Sequence, residues 1–349
     1  MSDAAWRSTI NVHTTRIVEL RSTAFAIIKN MIARRQVYTL AGEVEHITAC
    51  VRRGDVGNTA LIGKWEQTLA DYIGVPHAAA VNSGRRGLVL TLSHFGLGAG
   101  DELIVPAYTF GALLPPIQAL GITPVPADID ARTLCVTPES IEARITPRTR
   151  AILALHTFGV PFDVDGVLSV GRRHSLPVIE DCAHSLGATV NQRQTGFFGD
   201  AAFFSFEAIK PVNTFGGGLV VSRDEELIRT IRRDAAAAPF NLELLRSKVR
   251  SAQLEKFLFD KHLAIPLLYL LATPSLKRLG TWLYHCTQRA VPPTSGYTPL
   301  QAEIGINKLD TLDERICQRE QTSTLLSSLL RPEVTVHKAG SGCRSSQYC

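Results

Sequence analysis

The chain has 349 residues, 45% hydrophobic and 20% charged, with 26 Gly and 18 Pro. That composition excludes a collagen-like or disordered chain, and the length suits a large α/β domain with a smaller companion. A formal net charge of +5 gives no ground for expecting a nucleic-acid partner.

Residues 14–35 predict a basic amphipathic helix. Ile17, Leu20, Ala24, Ile28 and Met31 recur at helical spacing among Arg16, Arg21, Lys29, Arg34 and Arg35. A helix packed on the body or on a partner subunit is the preferred reading, with a membrane-surface helix as the alternative. The N-terminus, with Asp3, Trp6 and Arg7, lacks the apolar core of a secretory leader. Seven cysteines without a CxxC pair give no support to a zinc ribbon or redox motif. Reduced thiols in a cytoplasmic protein, and no metal site, are expected.

Between about 80 and 222, short apolar runs alternate with helical patterns. Strands are predicted at His77–Val81, Glu102–Val105, Thr123–Pro126, Ala151–Leu155, Pro177–Glu180, Ala201–Phe206 and Gly218–Val221. Helices are predicted at Arg85–Phe95 and Gly111–Ala119. This alternation predicts a mostly parallel sheet covered on both faces, with the chemistry at the carboxyl ends of its strands. Residues 224–290 read as helical and rich in Arg, Lys and Leu. Their longest apolar stretch, Leu263–Ala272, is too short to span a bilayer. Pro292, Pro293, Ser295 and Gly296 mark a break. One long helix is predicted over Gln301–Leu330, its stripe made of Ile304, Ile306, Leu309, Leu312 and Ile316. Val334–His337 reads as a short strand before a Gly/Ser/Cys-rich tail.

Three segments are candidates for chemistry. In Val81-Asn82-Ser83-Gly84-Arg85-Arg86 a strand ends in a small-residue turn and a helix starts, an arrangement that can hold a phosphate on unpaired N–H groups. By itself the turn reads equally as a Ser N-cap. In Ile179-Glu180-Asp181-Cys182-Ala183-His184 an acidic pair closes an apolar strand, and a buried carboxylate there needs a cation such as a protonated heteroaromatic nitrogen. In Ala201–Lys210 an apolar strand runs into Ser205 and then Lys210, followed by Gly216-Gly217-Gly218. A lysine just beyond a buried strand can act as an amine nucleophile. Phosphate turn, acidic strand end and lysine, in that order, form the layout that pyridoxal 5'-phosphate requires. Phe110, after the strand ending at Val105, can stack on its ring.

The chain resembles the DegT/DnrJ/EryC1/StrS family of sugar aminotransferases, from about Gly63 to Arg223 and again over Gly296–Arg319. The resemblance is carried by Gly63-Lys64-Trp65-Glu66, Asn82-Ser83-Gly84, Val105–Phe110, Glu180–His184, Ser205–Lys210 and Leu300–Gly305. It implies an α/β, fold-type I pyridoxal-phosphate transferase and a homodimer. By position, Lys210 would bond the cofactor aldehyde and shuttle the proton. Asp181 would pair with the pyridinium nitrogen, and His184 would lie near the ring hydroxyl. The Gly84 and Arg85 N–H groups and the Ser205 hydroxyl would hold the phosphate, and Phe110 would cover one ring face. Implied substrates are a nucleotide-linked keto-sugar and glutamate or glutamine as amino donor. Another fold-type I reaction on an amino acid, or a non-catalytic scaffold, is the alternative.

The departures from the family pattern are local. Arg85 and Arg86 stand where Thr is usual, Glu207 replaces a His or aromatic residue, and Phe215-Gly216-Gly217-Gly218 replaces Gly-Glu-Gly-Gly. Gly296-Tyr297-Thr298-Pro299 lacks the Asn and Arg of the family's Asn-Tyr-Arg stretch. The expected organisation is a helical segment over 1–49, a large cofactor-binding domain over 50–235, and a helical insert with a shortened small domain over 236–349.

Overall fold

A computed structural model describes residues 37–260, 295–330 and 339–346. The predicted helix at 14–35, the Leu263–Ala272 stretch, the rest of the helical reading over 261–290, the Pro292-Pro293 break and the Val334–His337 strand lie outside the described residues. The described chain falls into two compact units, one holding 37–250 and the residues from 295 onward, the other holding 251–260. No helix among the described residues is long and apolar enough to cross a membrane.

The first unit is built on a seven-stranded sheet. Its strands are β1 (His77–Val81), β2 (Glu102–Pro106), β3 (Thr123–Ala127), β4 (Thr149–Leu155), β5 (Val178–Asp181), β8 (Ala201–Ser205) and β9 (Gly218–Ser222). The short strands β6 (Thr189–Val190) and β7 (Arg193–Gln194) form a hairpin outside it, joined by β10 (Cys343–Arg344). The order in the large sheet is β1-β9-β8-β5-β4-β2-β3. The pairs β2–β3, β2–β4, β4–β5 and β5–β8 are parallel, while β9 runs antiparallel to both β1 and β8. This is the mostly parallel sheet that the alternating pattern predicts.

Side chains alternate across a strand with period two, so the continuous apolar runs feed cores on both faces of the sheet. Ala79, Val81, Phe203 and Val220 face one side, packed with Leu88 and Leu92 of α3 (Gly84–His94) and Leu227, Ile228 and Ile231 of α7 (Glu225–Ala236). Ala78, Ala80, Phe204 and Leu219 face the other, packed with Trp65, Leu69 and Ile73 of α2 (Ala60–Ile73). A third cluster sets Ile104, Ile152 and Val178 against Val164, Val167 and Val170 of α6 (Val164–His174). The remaining helices are α1 (Glu43–Arg53), α4 (Leu114–Ala119), α5 (Pro138–Glu142), α8 (Leu242–Asp260), α9 (Pro299–Leu309) and α10 (Leu312–Leu329).

The single long helix expected over Gln301–Leu330 is instead two. Thr298 and Gln301 form a capping box with Pro299 in the first turn, so α9 starts earlier than predicted. It stops at Leu309 because Asp310 and Thr311 turn the chain. The freed Lys308 carbonyl accepts from Thr311 Oγ1 at 3.3 Å and from Arg315 Nη2 at 2.7 Å. The apolar stripe survives the break: Leu309, Leu312 and Ile316 all join the core that holds Trp65.

Candidate active site

Because β9 runs against its neighbours, its first residue lies at the edge where β1, β8 and β5 end. Gly218 pairs with Val81 on one side and Ser205 on the other. Ser83 bridges Gly217, and its Oγ caps α3 by accepting the Arg86 N–H at 3.2 Å. Only glycine fits between these backbones. A Cβ at 218 would come within 2.5 Å of Gly84 N and 2.6 Å of Phe204 O, and one at 84 within 3.0 Å of Phe204 O. The glycines thus press the start of α3 against Ser205, setting first-turn N–H groups and a hydroxyl side by side at the positive end of a helix.

Of the two arginines after this turn, Arg86 turns away to pair with Asp234 of α7 at 2.6 Å, while Arg85 stays half-buried in the first turn. Glu207 pairs with Lys248 of α8 at 2.9 Å. Lys248 takes up the room beside Gly216, where a Cβ would fall 2.5 Å from its Nζ. A cleft opens next to the turn, lined in part by Asn82, Gly216, Asn241, Lys248 and Gln301.

Asp181 ends β5 with its carboxylate buried and accepts the Ala183 N–H at 2.9 Å. Burial pushes its carboxyl up to about 6, against the opposing pull of that N–H and of the nearby Lys210 charge. Lys210 is itself buried, in the loop between β8 and β9, with its N–H on the Glu207 carbonyl at 2.8 Å. Burial, reinforced by the Lys210 charge, drives the His184 imidazole down to about 3, so the ring is neutral at neutral pH. Phe110 and Tyr108, after β2, are about half exposed.

The structure therefore brings Asp181, His184 and Lys210 together and joins the Gly84–Arg85 turn to Ser205 at the same sheet edge. These residues fit pyridoxal phosphate: a buried carboxylate whose burial favours a cationic partner, a buried amine, and a helix start that glycines pack against the Ser205 hydroxyl.

Two features were missed in the sequence. Glu180 takes no part in the site with Asp181, because it shares the opposite strand face with Val178. Its oxygens accept from His156 Nε2 at 2.8 Å and from the N–H groups of Gly196, Phe198 and Gly199 at 2.7–2.9 Å. His156, Glu180 and Cys182 lie close enough to share a cation, but these four donors already occupy Glu180. Period-two alternation alone could have shown that only one of the acidic pair faces the site. The second feature is Phe158, held at φ 51° after β4, whose ring stacks on His184 at 5.6 Å and 3°. Its sequence carries no signal for that conformation.

A raised carboxyl has a defined consequence for stability. Its contribution is full below the ordinary value of 3.8 and is lost as pH rises through about 6. Asp181→Asn should therefore make the cofactor-free protein more stable at pH 7, on the order of 2–3 kcal/mol. It should also flatten the decline between pH 4 and 6. Urea unfolding across that range measures both, and an unchanged slope in the variant would refute the assignment.

The chain is 40% identical over 217 residues to GDP-perosamine synthase of Caulobacter vibrioides, covering 58% of this chain and 58% of that protein. It is 40% identical over 190 residues to the spore coat polysaccharide biosynthesis protein SpsC of Bacillus subtilis, covering 54% and 49%. The chain thus spans about half the length of the curated relatives it matches. The fold matches the aminotransferase TlmJ from Streptoalloteichus hindustanus with a TM-score of 0.70 at 24% identity, over 91% of this chain and 77% of that one. It matches DesI, solved in the presence of its TDP-sugar product, with a TM-score of 0.67 at 26% identity, over 91% and 71%. These neighbours establish fold-type I. With the family's sequence model matching residues 40–264, the chain belongs to the DegT/DnrJ/EryC1/StrS aminotransferase family.

Proposed function

We propose that the protein is a pyridoxal-phosphate-dependent aminotransferase. It would convert a nucleotide-linked keto-sugar to an amino sugar with glutamate or glutamine as donor, working as a homodimer in the cytoplasm. The observation that carries this reading is the meeting of Lys210, Asp181 and His184 at the sheet edge that also holds the Gly84–Arg85 turn. The relatives' names, a perosamine synthase and a spore coat polysaccharide protein, support a sugar substrate.

When bound, pyridoxal phosphate supplies the carbonyl that accepts the amino group and a ring that takes up the electron pair released at the reacting carbon. The chain's residues do the rest. The α3 N-terminus and Ser205 hold the phosphate. Asp181, favoured as an anion by a cationic partner, keeps the ring nitrogen protonated. Lys210 Nζ would take the proton from the donor's α-carbon and hand it to the carbon that had carried the cofactor's carbonyl oxygen. On the sugar carbon it runs the same shift in reverse. Neutral His184 can offer an N–H to the ring without adding a competing positive charge.

The test is incubation with GDP- and dTDP-linked keto-sugars and glutamate or glutamine, with mass detection of the amino sugar and the matching 2-oxo acid. Equal yields of the two support the reading. Amino exchange confined to 2-oxo acids would place the enzyme in another fold-type I class.

A further inference from the structure

The segment 340–346 has no part in the reading above, yet it is built into the site's wall. Cys343 pairs with Val190 and Arg344 with Thr189, which adds β10 to the β6–β7 hairpin. Asn191 N–H donates to the Gly342 carbonyl at 2.8 Å. Arg344 grips both carboxylate oxygens of Glu320 on α10, at 2.6 and 2.8 Å. A two-point guanidinium–carboxylate contact fixes direction as well as position.

So anchored, the chain carries Ser345 and Ser346 inside, where Ser346 is fully buried. Ser346 N–H donates to the Gly159 carbonyl at 3.2 Å, and its Oγ donates to the His184 carbonyl at 3.0 Å. The acceptors lie on different loops, one after β4 and one after β5. The side chains of those loops, Phe158 and His184, are the stacked pair. Phe158 is in the left-handed region, which a bulky residue keeps only where its surroundings over-determine it.

We propose that residues 340–346 form a strap and that Ser346 is a positioning residue, tying the Phe158 loop to the His184 loop and so holding the stacked rings over Lys210 and Asp181. The proposal rests on the cofactor reading above.

The test uses the full chain in four variants. Ser346→Ala removes the hydroxyl, Ser346→Pro removes the N–H as well, Ser346→Thr keeps both, and Glu320→Ala frees Arg344 without touching the site. Two readouts are taken: the His184 ring resonance in histidine-labelled, cofactor-free protein, and the Kd for pyridoxal phosphate by absorption titration. Ser346→Ala and Glu320→Ala are expected to move the His184 resonance and raise Kd about tenfold, the scale of one buried hydrogen bond lost. Ser346→Pro, which removes both bonds, should do so more, and Ser346→Thr should leave both readouts as in wild type. Folded Ser346→Ala and Glu320→Ala proteins with the wild-type resonance and Kd would overturn the strap, even if Ser346→Pro fails to fold. A wild-type protein that binds no pyridoxal phosphate overturns the cofactor reading instead, while the resonance still decides the strap.

Discussion

Lys210→Ala is expected to lower amino transfer by at least about a thousandfold while leaving the protein folded. General acid–base catalysis by a positioned side chain contributes roughly 10²–10⁴-fold, and this lysine would also supply the amine that bonds the cofactor. Its loss leaves the cofactor held by non-covalent contacts alone. The side chain is buried, and its charge acts on both Asp181 and His184. With that charge gone, only the Ala183 N–H still opposes burial at Asp181, and its carboxyl moves further up. The measurement pairs turnover with borohydride reduction and peptide mapping. Wild type should carry the cofactor's mass on the peptide containing Lys210, and the variant should carry none. Residual turnover above about a hundredth of wild type would mean that another group moves the proton.

Lys308→Met is expected to lower stability by about 3–5 kcal/mol, the cost of removing one partner from a buried ion pair. Lys308 is completely buried and pairs with Glu43 at 2.8 Å. Its Nζ also donates to the Asn213 carbonyl at 2.9 Å, to Asn213 Oδ1 at 3.1 Å and to the Tyr38 carbonyl at 3.1 Å. Burial pulls its pKa down to about 8 even though Glu43 opposes the shift. One ammonium thus ties α9 to the start of the first unit and to the loop that follows Lys210. Methionine fills the volume but leaves the Glu43 carboxylate uncompensated. A fall in Tm on the order of 10 °C is expected, since about 2–4 °C accompanies each kcal/mol in domains of 150–250 residues. The double variant Glu43→Leu with Lys308→Met should recover much of the loss. A single variant within about 1 kcal/mol of wild type would show that the pair contributes little.

What was legible in the sequence was whatever repeats at short range. All seven strands of the large sheet were readable because each is a brief apolar run bounded by turn residues. The site edge was readable because Ser83, Asp181 and Ser205 end or follow such runs. The break in the last helix was not, since Ile304, Leu309, Leu312 and Ile316 keep helical spacing across it. Asp310 and Thr311 turn the chain there, and Arg315 secures the turn by reaching back to the Lys308 carbonyl and to that of Pro211, a contact made only in the fold. The His156–Glu180 pair, the Lys308 hub and the Ser346 strap join residues 24, 265 and 162 positions apart, respectively. No local pattern announces contacts of that span.

The place of β9 also sets an order of assembly. Among the described residues the first strand of the large sheet has one neighbour, made about 140 residues later in the chain. Until Gly218–Ser222 slides between β1 and β8, the turn after Val81 and the hydroxyl of Ser205 have nothing to hold them side by side. Neither a nascent chain nor a fragment ending before that strand can contain the anion cradle in its paired form. The cradle is therefore completed only after the closing strand has been made, although its first half is encoded near the beginning.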